Sequence, residues 1–238
     1  MRSEWLCVVD AGNSRIKVGW FRAGVLEETE VLEHAQWADY APKHLAKAAI
    51  VASVSMEEEA LAAPFRAAEH TQLRLWQPTD PLPFDSVYTS LHTLGSDRKM
   101  LITGANKLYP GINRLVIGLG TCITYDLIDA SNCHRGGDIS PGMHMRWQAM
   151  HNFTARLPLV EMPVNWPALG TDTISALQAG VLQGVLAEMK GRKAQLDLIY
   201  NDLTIILSGG DAHFFEMRFD NRIFAEPNLA LYGLHALL

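Results

Sequence analysis

The sequence predicts an α/β protein made of two related halves that face each other across a cleft. Three observations carry this. Short apolar runs of strand character alternate with longer segments of helical pattern. A strand–turn–strand unit near the N-terminus returns about halfway along the chain. Glycine-rich turns stand at strand ends and just before helices, where backbone N–H groups can be presented to an anion. The chain has 238 residues, enough for one large domain or two small ones. The repeat divides it at residues 1–108 and 109–238.

The elements follow in order. Residues 6–9 read as a buried strand ending at Asp10, and Ala11-Gly12-Asn13-Ser14 is a turn signal. Residues 16–21 and 25–32 complete a three-stranded meander with Ala23-Gly24 between them. Residues 35–47 carry a helical pattern, 49–53 a short buried strand, and the Ala- and Glu-rich stretch 56–69 a helix. Residues 73–76 are strand-like. Pro78, Pro81 and Pro83 make 77–84 a loop. A helix over 97–108 is opened by Gly95-Ser96. The pattern then restarts with strands at 114–119 and 123–128, and a third at 134–139. Helices are expected at 143–153 and 173–190, a last buried strand at 203–207, and a helix beyond Asp211. Overlaying Cys7–Asn13 on residues 115–121 sets Asp10 against Gly118, an offset of 108 residues. Two unrelated hairpins could also align over so short a stretch.

Composition narrows the function classes. Apolar residues make up 48% and charged residues 19%, as in a globular protein with a substantial core. Twenty basic and 26 acidic residues give a net charge of −6, with no basic stripe, so no nucleic-acid partner is expected. Cys7, Cys122 and Cys133 have no metal-type spacing and suit a reducing cytoplasm. No apolar run approaches the roughly 20 residues of a membrane span, and no signal peptide is read, so no membrane partner is expected. The histidines are scattered, and no metal ligand set is assigned.

Five motifs could carry chemistry. In Asp10-x-Gly12-Asn13-Ser14 with Lys17, glycine lets a phosphate approach the backbone, Asn13 and Ser14 offer donors, and Asp10 could hold hydrated Mg²⁺. A plain hairpin would look the same. In Gly95-Ser96-Asp97-Arg98, Asp97 could accept a proton from a substrate hydroxyl, and Arg98 could clamp a carboxylate. The same residues also make an ordinary helix start, with Ser96 as cap. Gly120-Thr121-Cys122-Ile123-Thr124 is the counterpart of the first motif. Gly136-Gly137-Asp138-Ile139-Ser140-Pro141-Gly142 is a loop built for close approach, to a ligand or to the other half. Ser208-Gly209-Gly210-Asp211 is either a lip for an adenosine or a simple strand-to-helix turn.

Taken together and in this order, the five motifs resemble the type III pantothenate kinases. Thr154-Ala155-Arg156-Leu157-Pro158 matches that family's run as well, and the resemblance spans the chain nearly end to end. It implies a duplicated ribonuclease-H-like, actin-like ATPase fold with mixed sheets flanked by helices, ATP between the halves, and a homodimer. It implies ATP-dependent phosphorylation of pantothenate to 4′-phosphopantothenate, with Mg²⁺ and a monovalent cation, potassium or ammonium. By position, Asp10, Gly12, Asn13, Ser14, Lys17, Gly120, Thr121, Gly209 and Gly210 would bind ATP. Tyr88, Gly95, Ser96, Asp97 and Arg98 would bind pantothenate together with Thr173 of a partner subunit, and Asp97 would be the proton acceptor. Three positions depart from the family. Ser14 replaces Thr, Leu91 replaces Pro, and Gly118 stands where the family has the Asp that binds the monovalent cation. Gly118 leaves open a non-catalytic nucleotide-binding member or regulator. A superfamily kinase or phosphohydrolase with another small substrate is the other alternative.

Overall fold

The computed structural model describes residues 4–66, 71–219 and 223–238. The chain forms two compact units. One comprises Met1–Gly111, Ser131–Gly136 and Asn228–Leu238, and the other Ile112–Ala130 and Gly137–Pro227. A cut between residues 108 and 109 separates the sequence repeats. By packing, the first unit also takes a short segment from mid-chain and the C-terminus.

The first unit is built on β1 (Trp5–Ala11), β2 (Ile16–Arg22), β3 (Val25–Leu32), β4 (Ala46–Ser53) and β5 (Gln72–Leu75), in the order β3-β2-β1-β4-β5. β1, β2 and β3 pair antiparallel, and β4 and β5 add in parallel. Both faces are covered, so β1 is apolar on both sides of its pleat. Cys7, Val9 and Ala11 face a core with Trp37, Leu61 and Phe65, the last two from α1 (Glu58–Arg66). Val8 faces the opposite core with Met100 of α2 (Ser96–Leu108) and Leu231 and Leu234 of α5 (Leu229–His235). Period-2 alternation therefore turns Asp10 toward the α2 face. There α2 and α5 cross at glycines. A Cβ on Gly233 would stand 2.0 Å from the Met100 carbonyl oxygen, and one on Gly104 2.1 Å from that of Leu229.

The second unit repeats the plan. β6 (Arg114–Leu119), β7 (Cys122–Ile128), β8 (His134–Pro141, whose first three residues count with the first unit), β9 (Thr204–Ser208) and β10 (Ile223–Ala225) lie in the order β10-β9-β6-β7-β8, the same sequence of neighbours as in the first sheet. Leu115, Ile117 and Leu119 join Ile123, Tyr125, Leu127, Ile205 and Leu207 on one face. Met143 and Trp147 of α3 (Met143–Phe153), and Leu177, Val181, Val185 and Met189 of α4 (Thr173–Asp197), cover it. α4 is capped by Asp172, whose carboxylate accepts the Ser175 N–H at 3.0 Å while Ser175 Oγ reaches back. Asp10 and Gly118 occupy the same place in their sheets, one residue before the end of β1 and β6, as the 108-residue offset requires.

Four local expectations change. Residues 35–47 do not form a helix. A 3-10 turn runs over His34–Asp39, and Pro42, without an N–H, ends it before β4. The helix expected over 56–69 is α1, Glu58–Arg66, and residues 67–69 lie outside the described residues. Pro64 sits inside it, and the Ala60 carbonyl that would have accepted its N–H takes the Trp37 indole N–H instead, at 3.2 Å. Beyond Asp211 come two 3-10 turns, Ala212–Phe214 and Glu216–Arg218, rather than a helix. Gly95, not Ser96, is the N-cap of α2. Among the described residues no helix is long and apolar enough to cross a membrane.

Candidate functional site

In the first unit the β1–β2 turn is held from three sides. Gly12 N–H donates to the Arg15 carbonyl at 3.0 Å, closing the turn. The Gly12 carbonyl accepts from Ser55 Oγ at 2.7 Å and lies 3.0 Å from His34 Nε2. Asn13 and Ser14 are exposed at the tip. Asp10 pairs across the ladder with Lys17. Its carboxyl is pushed up to about 6, chiefly by burial. The Lys17 charge opposes the rise, and the nearby Asp97 carboxylate adds to it.

Asp97 stands in the first turn of α2. Its Oδ1 accepts the N–H of Arg98 at 2.8 Å. Gly95 makes room for it, since a Cβ there would stand 2.5 Å from that oxygen. Arg98 is 3% exposed, and its guanidinium lies 5.6 Å from the Tyr88 ring centre, within cation–π range. Behind Tyr88 stands His134, stacked at 5.9 Å between ring centres. His134 is fully buried, and its Nδ1 is 2.8 Å from Ser86 Oγ, which accepts the Tyr88 N–H at 3.1 Å. The first unit thus gathers Asp10, Gly12, Asn13, Ser14 and Lys17 on one hairpin, and Tyr88, Gly95, Ser96, Asp97 and Arg98 around the start of α2. His34, Ser55, Ser86 and His134 were not singled out from the sequence. Each is an isolated polar residue with no local motif, and only the tertiary pairing shows what it touches.

In the second unit three loops meet by backbone contact. Gly142 N–H donates to the Thr121 carbonyl at 3.0 Å, and a Cβ on Gly142 would stand 2.2 Å from the Gly120 oxygen. Gly209 has φ +97° and lies against the Leu119 carbonyl, where a Cβ would stand 2.2 Å away. Asp211 N–H donates to that same carbonyl at 3.2 Å. Gly120, Thr121, Gly209 and Gly210 are therefore brought together at the ends of β6 and β9. Burial raises the Asp211 carboxyl above its usual range, against the pull of His144 and His213. Thr173 lies elsewhere in this unit. It lines a cavity of about 520 Å³ with Arg146, Met150, Leu157 and Leu177, and none of the four loop residues borders it.

Gly118 pairs with Thr124 on β7 and Ser208 on β9. These offer hydroxyls but no carboxylate. Asp138, 20 residues further along, is engaged with Arg192. Asp126 is fully buried on β7 opposite Val116, two residues along the ladder from the Gly118–Thr124 pair. Among the described residues no cluster of three or more His, Cys, Asp or Glu could hold a metal ion.

Comparison with known proteins identifies the family and the fold. A family model for type III pantothenate kinase matches residues 6–195. Type III pantothenate kinase of Christiangramia forsetii is 37% identical over 234 residues, covering 97% of this chain and 96% of the relative. That of Bacteroides fragilis is 37% identical over 235 residues, covering 97% and 96%. Among solved structures, a Campylobacter jejuni protein assigned to the Baf family of transcriptional activators has TM-score 0.63 at 21% identity, covering 97% of this chain and 96% of its own. The activator of 2-hydroxyisocaproyl-CoA dehydratase from Clostridium difficile, solved with bound ADPNP, has TM-score 0.50 at 9% identity, covering 97% and 92%. At such identities these two speak for the fold alone, the duplicated ribonuclease-H-like arrangement of the actin-like ATPases. The family match over most of the chain and the full-length relatives say more: this chain belongs to the type III pantothenate kinase family.

Proposed function

We propose that the chain transfers the γ-phosphoryl group of ATP to the hydroxyl of pantothenate, giving ADP and 4′-phosphopantothenate, the first step of coenzyme A biosynthesis. The observation that carries the residue assignment is the convergence, within one unit, of the Asp10–Lys17 hairpin and the start of α2, close enough for Asp97 to perturb Asp10. Phosphoryl transfer needs positioning and charge stabilisation above all. Exposed backbone and side-chain donors at Asn13 and Ser14 bind phosphate oxygens, and Lys17 adds positive charge. Asp97 takes the hydroxyl proton as that oxygen attacks the γ-phosphorus and the bond to the ADP oxygen breaks. Arg98, steadied over Tyr88, orients the pantothenate carboxylate. The family resemblance assigns Gly120, Thr121, Gly209 and Gly210 to ATP as well.

Magnesium fits this site. Asp10 is a half-buried carboxylate whose raised affinity for a proton reflects a charge without enough compensation, and a divalent cation is the natural relief. Magnesium keeps most of its ligands as water and phosphate, so one or two carboxylates suffice. When bound with ATP it supplies charge neutralisation at the phosphates. Gly118 offers potassium or ammonium no side-chain ligand. We infer kinase activity with altered dependence on monovalent cations.

A homodimer completes this reading. Phe153, Val164, Leu169 and Ile174, on the stretch of chain that leads into α4 and Thr173, are exposed at 88%, 100%, 82% and 53%. Apolar side chains exposed this fully suit an interaction face. A second copy seated there would present Thr173 to pantothenate. Cys7 lies buried with its thiol pushed well above its usual value, and no disulfide joins the described residues, which suits the cytoplasm. The kinase relatives do not favour a non-catalytic regulator.

Purified protein given ATP, Mg²⁺ and pantothenate, with and without potassium, should form 4′-phosphopantothenate in both conditions. Formation only with potassium would show that other residues rebuild the cation site. No product in either, from folded protein, would overturn the kinase reading.

A further inference from the structure

We propose that Ser55 and His34 are positioning residues that aim the Asn13 N–H at the nucleotide phosphates. This rests on the ATP-binding role proposed for the β1–β2 turn. The β1–β4 ladder ends with Val54 N–H donating to the Ala11 carbonyl at 3.0 Å. The next carbonyl, Gly12, lies beyond the ladder, and side chains take it instead. Ser55 Oγ donates at 2.7 Å, and His34 Nε2 lies at 3.0 Å. A carbonyl can only accept, so this contact requires the proton on Nε2. Ser55 and His34 stand 3.4 Å apart over the same oxygen. Ser55 is itself fixed, because Ser53 Oγ accepts the N–H groups of Ser55 at 3.1 Å and Met56 at 2.8 Å.

The consequence follows from peptide geometry. The Gly12–Asn13 bond is trans, so the Gly12 C=O and the Asn13 N–H point in opposite directions from one plane. Holding the carbonyl from one side by two donors directs the N–H to the other. Glycine at position 12 would otherwise let that plane turn over easily. The Asn13 N–H makes no hydrogen bond among the described residues, and Asn13 is exposed. It is a pre-aimed donor at the turn that faces the phosphates. Asn13 thus supplies the contact, while residues 21 and 42 positions further along supply its direction.

The test is steady-state kinetics and calorimetric ATP binding for the wild type, Ser55→Ala, His34→Ala, the double variant, and the conservative Ser55→Thr and His34→Gln. The double variant should raise the KM and Kd for ATP about tenfold, as expected for a misdirected hydrogen bond to a charged group. The KM for pantothenate and kcat should stay within about twofold. Ser55→Thr keeps a hydroxyl and His34→Gln keeps a donor, and both should remain near the wild type. A double variant that binds ATP as the wild type does, whatever its melting temperature, would overturn the inference. A wild type that binds ATP but phosphorylates no pantothenate would break the kinase reading instead, and ATP binding by the same variants would still decide this one.

Discussion

The two hairpins that open the two sheets share a place in the topology but not a method of construction. The β1–β2 turn has four residues between its last ladder pair and is pinned by side chains, Ser55 and His34, with a half-buried carboxylate at Asp10. The β6–β7 turn has three and is pinned by backbone, with Gly142 and Gly209 pressed against the carbonyls of residues 119–121. At the position equivalent to Asp10 it carries Gly118. One hairpin therefore brings charge and directed donors, and the other brings close, uncharged backbone. A duplicated fold can keep its strand order while dividing the chemistry unevenly, because strand order depends on apolar alternation and not on the turn residues.

The sharpest way to break this division is to remove the carboxylate proposed, in the first unit, as the proton acceptor. Asp97→Asn should lower kcat by about 10²–10⁴-fold with an unchanged melting temperature. Turnover within a few-fold of wild type would remove Asp97 as the proton acceptor. Next is the backbone contact of the second half. Gly209→Ala combines a φ of +97° with a Cβ only 2.2 Å from the Leu119 oxygen, and should cost about 3 kcal/mol in urea unfolding. A loss below 0.5 kcal/mol would mean the loop can simply move aside.

Asp10 offers a pH test. Its folded value near 6 lies above the ordinary carboxylate value, so the folded protein binds this proton more tightly than the unfolded chain. Its stabilising effect is complete below pH 4 and is lost as pH rises through about 6. Between pH 5 and 8 the apo wild type should lose roughly 1–2 kcal/mol through this group, and Asp10→Asn should abolish that slope. Activity should run the other way, with kcat/KM for ATP falling as the carboxylate protonates below about pH 6. A wild type and variant with parallel stability profiles would refute the assignment. The smallest effect concerns Gly118. Gly118→Asp would make the two turns more alike, and turnover should become several-fold more dependent on potassium than in the wild type. Strong, equal potassium activation of both would mean that position 118 does not govern cation use.

Much of the architecture was legible in the residues. The meander, the restart and the 108-residue offset all depend on period-2 apolar patterning, which is local. The helical pattern over 35–47 misled because amphipathic spacing says nothing of Pro42 until the chain must continue beyond it. The short strand β10 and the return of α5 to the first unit were not legible. A three-residue strand carries almost no periodic signal, and which sheet a terminal helix covers depends on surfaces more than 100 residues away.

The same boundary runs through the site. Residue identity alone named Asp10, Gly12, Asn13, Lys17, Asp97, Arg98, Thr121 and the glycine turns, because their chemistry is written in short motifs. Only the tertiary structure revealed that Asp10 feels the charge of Asp97, that Ser55 and His34 hold the Gly12 carbonyl, that His134 backs Tyr88, and that Asp138 is committed to Arg192. A motif states which groups a chain can offer. Burial, pairing and direction arise between segments distant in sequence, and they exist only once the chain has packed.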